Sequence, residues 1–152
     1  MDHYLVRHGE AKAEHEDPKR PLSERGRIEV ENVARAAAAK RIQVSGIFHS
    51  DKLRAKQTAE ILAQFLAPRF GLREVKGLSP DDDPEIAKAE LEAADEPLIL
   101  VGHLPHLGRL ASLLVSGDPE RLSIDFRPGA MVCLSRAGET WEMKWTLTAE
   151  AT

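Results

Sequence analysis

A single cysteine, Cys133, is the only thiol in the chain, so no internal disulfide and no cysteine-based metal cluster can form. It sits in the apolar run Met131 to Leu134, where a buried, inert thiol is expected. No stretch of apolar residues is long enough to span a bilayer. The N-terminal MDHYLVRHGE brings charges too early for the apolar segment of a secretory signal, so cytoplasmic residence is the expectation. An excess of positive charge is also missing. With 21 Lys and Arg against 25 Asp and Glu, the net charge of -4 excludes a general pull toward nucleic acid or membrane, and any anion must be bound locally. Internal repeats, linkers and low-complexity tracts are absent.

What is present is ordinary for a folded protein: 152 residues, 42% hydrophobic and 30% charged, enough for one domain over residues 1–152 with a proper core. Four short apolar runs read as buried strands: Tyr4 to Val6, Ile47-Phe48, Leu98 to Val101 and Met131 to Leu134. Arg73 to Val75 and Trp141 to Trp145 are weaker candidates. Helical patterns lie between them. Ser23 is placed to cap a helix striped by Val30, Val33, Ala34 and Ala37, and Ser50 to cap a second striped by Ala55, Ala59, Leu62 and Leu66. Pro84 opens a third helix in the stretch to Ala94, and Pro105 fits the first turn of a fourth, striped by Leu107, Leu110, Ala111 and Leu114. Residues Gly117 to Gly129 read as irregular, and the polar tail Thr148 to Thr152 as frayed. Strand and helix alternate, which predicts an α/β domain: a three-layer α/β/α sandwich around a mostly parallel mixed sheet, closed by an antiparallel pair near the C-terminus.

In such sheets the working groups gather where strands end and loops lead into helices. Three strand ends are chemically loaded: Arg7-His8-Gly9, His49-Ser50 leading into Arg54, and Gly102-His103. Arg54, four residues after Ser50 and one turn into its helix, can lean back toward those ends. Two arginines and two histidines can then share one pocket. Neighbouring cations depress histidine protonation, so the cluster makes sense around an anion or where a neutral imidazole is wanted. A phosphoryl group, whose oxygens match guanidinium forks, is the natural occupant.

These residues resemble a known family. Arg7-His8-Gly9 is similar to the RHG signature of the histidine phosphatase superfamily, which has the phosphoglycerate mutase-like fold. Ser50-Asp51-Lys52-Leu53-Arg54-Ala55-Lys56-Gln57-Thr58-Ala59 resembles its S-P-x-x-R-A-x-Q-T-A segment, with Asp51 in place of the proline, and Val101-Gly102-His103 resembles its second histidine motif. Arg20-Pro21-Leu22-Ser23 followed by Gly26, and His103-Leu104-Pro105, resemble the compact phosphohistidine phosphatase branch. The resemblance implies that His8 is the nucleophile and becomes phosphorylated, that Arg7 and Arg54 clamp the phosphate, and that His103 stabilises the transferring group. Substrate contact by Arg20 is a further expectation, while Ser50 is either a helix cap or a phosphate contact.

The implied activity is hydrolysis of phosphohistidine on a protein partner through a covalent phosphohistidine intermediate, with no metal or cofactor. The same machinery could act on a small phosphorylated metabolite, or the domain could be a non-catalytic phosphate-binding module. Nucleic acid and membrane are not expected partners. No general acid is evident: Leu104 follows the second histidine, and the candidates are Asp81, Asp82, Asp83 and Glu10. A metal held by His103 and His106 is the tempting alternative, but the intervening proline and the lack of a carboxylate partner speak against it. His3, His15 and His49 are expected to be solvated or packed.

Overall fold

The computed structural model describes residues 1–151; Thr152, the last residue of the expected frayed tail, lies outside the described residues. Six strands form one sheet: β1 (Asp2–Arg7), β2 (Gly46–His49), β3 (Leu72–Glu74), β4 (Leu98–Gly102), β5 (Met131–Ala137) and β6 (Thr140–Leu147). Their order is β3-β2-β4-β1-β5-β6. The first four run parallel, and β5 and β6 join antiparallel.

Side-chain alternation along the central strands divides the core in two. Tyr4, Val6, Ile47, Ile99, Val101, Met131 and Cys133 face helices α1 (Glu24–Ala39) and α2 (Leu53–Leu66). Leu5, Leu98, Leu100, Val132 and Leu134 face α3 (Pro84–Ala93) and α4 (His106–Ser116). With both faces covered, the strands can be apolar throughout, and β4 is buried at every position. This is the three-layer α/β/α arrangement expected. The helix stripes also hold: Val30, Val33, Ala34 and Ala37 are buried on α1, and Leu107, Leu110, Ala111 and Leu114 on α4.

Ser23 caps α1 by accepting from Gly26 N at 3.0 Å, and Asp83 caps α3 by accepting from Glu85 N at 3.0 Å with Pro84 at its first position. Ser50 does not cap α2. That helix starts at Leu53 behind Lys52, which offers no side-chain cap, because the Ser50 hydroxyl lies two residues further back and is engaged elsewhere. Arg54 is accordingly the second residue of α2 rather than one turn in. Pro105 precedes α4 instead of lying in its first turn. β3 falls one residue earlier than Arg73 to Val75 and is exposed, so burial left no mark on its sequence. The described part of the tail is ordered rather than frayed: Ala149–Ala151 forms a 3₁₀ turn, Ala149 packs on the α1–α2 side of the core, and Glu150 pairs with Arg127 at 3.2 Å.

Candidate active site

Sheet register brings the loaded strand ends together. Arg7 pairs with Gly102 and His49 with Val101, so the residues that follow, His8, His103 and Ser50, leave the sheet at nearly one level. His8 N donates to Gly102 O at 3.0 Å, tying the first histidine loop to the second.

The loop after β1 is clamped by two helices. Gly9 in this loop and Gly26 of α1 are required by close approach: a Cβ on Gly9 would lie 2.7 Å from Val30 Cγ2 and 2.9 Å from Gly26 O, and one on Gly26 would lie 2.0 Å from Glu10 O. From the other side, Thr58 Oγ1 accepts from Gly9 N at 3.1 Å and donates to Arg54 O at 2.8 Å. Gln57 Oε1 accepts from Leu22 N at 2.7 Å. The Gln-Thr pair that follows Arg54 therefore braces both the His8 loop and the Pro21-Leu22 segment. The sequence marked these positions only as part of a motif, without a role.

His8 Nδ1 lies 2.6 Å from Gly9 O. A carbonyl can only accept, so the neutral ring carries its proton on Nδ1 and leaves a lone pair on Nε2. Burial, followed by the charges of Arg54, Arg7 and Arg20, outweighs the Gly9 bond and lowers the pKa of His8 to about 4. The ring is thus neutral near pH 7. His103 stands beside it with ring centroids 4.9 Å apart, buried, and with its pKa lowered to about 3 by burial first and then by His8, Arg54 and Lys52. Its Nε2 lies 2.6 Å from Ser50 Oγ.

Arg7 donates through Nη1 to Phe126 O at 2.9 Å, which anchors the guanidinium. Arg7 Nε, Arg54 Nε and His103 Nδ1 are buried and have no protein partner. Buried polar atoms without partners are costly, and those three groups lie close to His8, which is the condition an anion would relieve. Arg20 sits at the margin: it adopts a left-handed φ of 47°, donates from Nε to Lys12 O at 3.1 Å, and its charge reaches His8 and Arg54. Lys52, not singled out from the sequence, acts on His103 in the same way.

Of the expected site residues, Arg7, His8, Ser50, Arg54 and His103 are brought together, with Arg20 alongside. Three of the four candidate carboxylates are engaged by other groups. Glu10 accepts from Ser23 Oγ at 3.0 Å, Asp82 from Ser79 N at 2.9 Å, Asp83 caps α3, and Asp81 is exposed. His106 is wholly buried among core residues of α4, and among the described residues no group of three or more His, Cys, Asp or Glu is arranged to hold a metal. His3 is packed, accepting from Leu98 N at 3.1 Å; His49 is buried with Nδ1 2.8 Å from Ser50 O; His15 is exposed. No helix among the described residues is long and apolar enough to cross a membrane.

A neutral histidine beside two arginines and a second histidine, at the carboxyl ends of a mostly parallel sheet, gives an α/β protein a pocket whose polar groups can take an anion. A sequence model of the histidine phosphatase superfamily (branch 1) matches residues 3–80. The chain belongs to the histidine phosphatase superfamily. It is 38% identical over 126 residues to an uncharacterised protein of Picosynechococcus sp., covering 78% of this chain and 75% of that one. It is 27% identical over 123 residues to the phosphohistidine phosphatase SixA of Escherichia coli, covering 78% and 76%. A structure of the protein histidine phosphatase SixA complexed with tungstate superposes with a TM-score of 0.88 at 23% identity over 99% of both chains. The fold is that of the phosphoglycerate mutase-like proteins.

Proposed function

We propose that the protein is a cytoplasmic, metal-independent phosphatase that hydrolyses phosphohistidine on a protein partner. His8 Nε2 attacks phosphorus of a phosphohistidine protonated on its other ring nitrogen, the phosphorus–nitrogen bond breaks with its electron pair returning to that ring so that it leaves as neutral imidazole, and the phosphoryl group passes to His8. Arg7 and Arg54 hold its oxygens, and His103 adds a further donor as charge builds on them. The His8 proton stays on Nδ1, held by Gly9 O. Water then attacks phosphorus and releases phosphate and the neutral ring. Arg20 contacts the incoming protein at the margin of the pocket.

The observation that favours phosphohistidine over an ester is the engagement of Glu10, Asp82 and Asp83 in hydrogen bonds within their own surroundings. An alkoxide needs a proton as it leaves, whereas imidazole is a far better leaving group and depends less on a dedicated acid. The chain between Thr58 and β4 supports the same choice, since the end of α2, β3 and α3 take up just over half of it and the rest is divided among three connections, which leaves little for a lid over a small metabolite. The relationship to SixA at the level of fold and moderate sequence identity agrees.

The test is a panel of a phosphohistidine peptide, phosphoserine, phosphoglycerate and a sugar phosphate, with kcat/KM measured with and without chelator. The phosphohistidine peptide is expected to lead, and chelator to change nothing. Equal or faster turnover of a small ester would replace this reading with a metabolite phosphatase. Binding without turnover of any substrate would leave a phosphate-binding module.

A further inference from the structure

Ser50 is fully buried, and its Oγ has two neighbours at hydrogen-bond distance: Lys52 N at 3.3 Å and His103 Nε2 at 2.6 Å. An amide nitrogen can only donate, so Lys52 occupies a lone pair of the hydroxyl and leaves its proton one acceptor, the His103 ring. We infer that Ser50 is a positioning residue that sets the tautomer of His103, placing the ring proton on Nδ1 so that an N–H rather than a lone pair meets the transferring phosphoryl group. The inference rests on the phosphoryl-transfer role proposed for the site.

The opposite arrangement fails on two counts. With the proton on His103 Nε2, the buried serine proton would have no acceptor, and Nδ1, which has no protein partner, would turn a lone pair toward phosphoryl oxygens. The two histidines are thus set to opposite roles by their immediate neighbours. A carbonyl, Gly9 O, takes the Nδ1 proton of His8 and frees Nε2 as a lone pair, while the Ser50 hydroxyl gives its proton to His103 Nε2 and frees Nδ1–H as a donor. Rings whose centroids lie 4.9 Å apart present one nucleophile and one donor to the same group.

The experiment uses the full chain labelled with ¹⁵N-histidine, whose ring nitrogens report the tautomer directly. Wild-type His103 is expected as the Nδ1–H form. Ser50→Ala should show a substantial Nε2–H population, bind orthovanadate about tenfold more weakly, and lose about ten- to a hundredfold in kcat with a smaller change in KM. A serine that merely filled space would leave the tautomer unmoved. An Nε2–H ring in the wild type, or Ser50→Ala with the tautomer and the orthovanadate affinity both unchanged, would overturn the inference. The tautomer and orthovanadate measurements need no turnover, so a protein inactive on phosphohistidine would refute the proposed substrate without touching this one.

Discussion

Gly26 and Glu10 meet backbone to backbone: a Cβ on Gly26 would fall 2.0 Å from the Glu10 carbonyl oxygen and 2.8 Å from its nitrogen. Gly26 lies in the first turn of α1, where alanine would normally gain about 1 kcal/mol in helix propensity. Here that gain is outweighed, because the clash is with backbone and overpacking of this kind costs about 3 kcal/mol or more. Gly26→Ala is expected to lower stability by about 2 kcal/mol in urea denaturation and to reduce kcat by displacing the loop that carries His8. A stabilised, fully active variant would show that the loop yields freely.

Thr58 is the brace on the opposite side. Valine keeps its shape but leaves the Gly9 amide, bonded to Thr58 Oγ1 at 3.1 Å, without an acceptor. Thr58→Val should cost about 1–3 kcal/mol in stability. It should lower kcat more than it raises KM, because the loop carrying the proposed nucleophile, rather than the proposed phosphate clamp, is displaced. A change in KM alone would contradict this.

His8→Ala should abolish turnover with the fold intact, since it removes the proposed nucleophile from a half-buried position. Brief incubation of the wild-type protein with substrate should give a phosphate label stable to base and labile to acid. Label on a different residue, or turnover by the variant, would require another nucleophile.

Arg54→Lys keeps the charge and loses the planar fork. The expected loss in kcat/KM corresponds to about 2 kcal/mol or more of transition-state stabilisation. Near-complete rescue by lysine would mean that the charge alone matters.

Acid should destabilise the protein through its buried histidines. Burial lowers the pKa of His3 from 6.5 to about 4, and its Nδ1 accepts from Leu98 N, so the folded state refuses a proton that the unfolded chain takes up. A depressed native pKa means that stability is full above the unfolded value and falls as pH drops from about 6.5 toward about 4. His8, also lowered to about 4, and His103, lowered to about 3, add to the same trend. Urea midpoints at about pH 7.5 and about pH 4.5 should differ less in His3→Gln, which keeps an acceptor but cannot titrate. An equal drop in both proteins would remove His3 from this account.

The alternation of short apolar runs with helical stripes was enough to determine the layered α/β architecture, because burial on two faces writes itself directly into residue spacing: Tyr4, Leu5 and Val6, or Leu98 to Val101, can be buried in no simpler way. That Arg7, His8, Arg54 and His103 converge was likewise legible, because each lies at or near a strand end and the three segments together resemble the motifs of one family; Arg-His-Gly alone would not have marked them. β3 was only weakly marked, and one residue out, because it is exposed and carries no burial pattern. Ser50 was misassigned as a helix cap because capping is a local rule, and its hydroxyl obeys a contact with His103, 53 residues away, that no spacing along the chain encodes. The same holds for Thr58 beneath Gly9 and for Gly26 against Glu10. Sequence periodicity reports which side of an element faces the core; which polar atom meets which across elements depends on strand register and helix placement, and only the tertiary structure decided that.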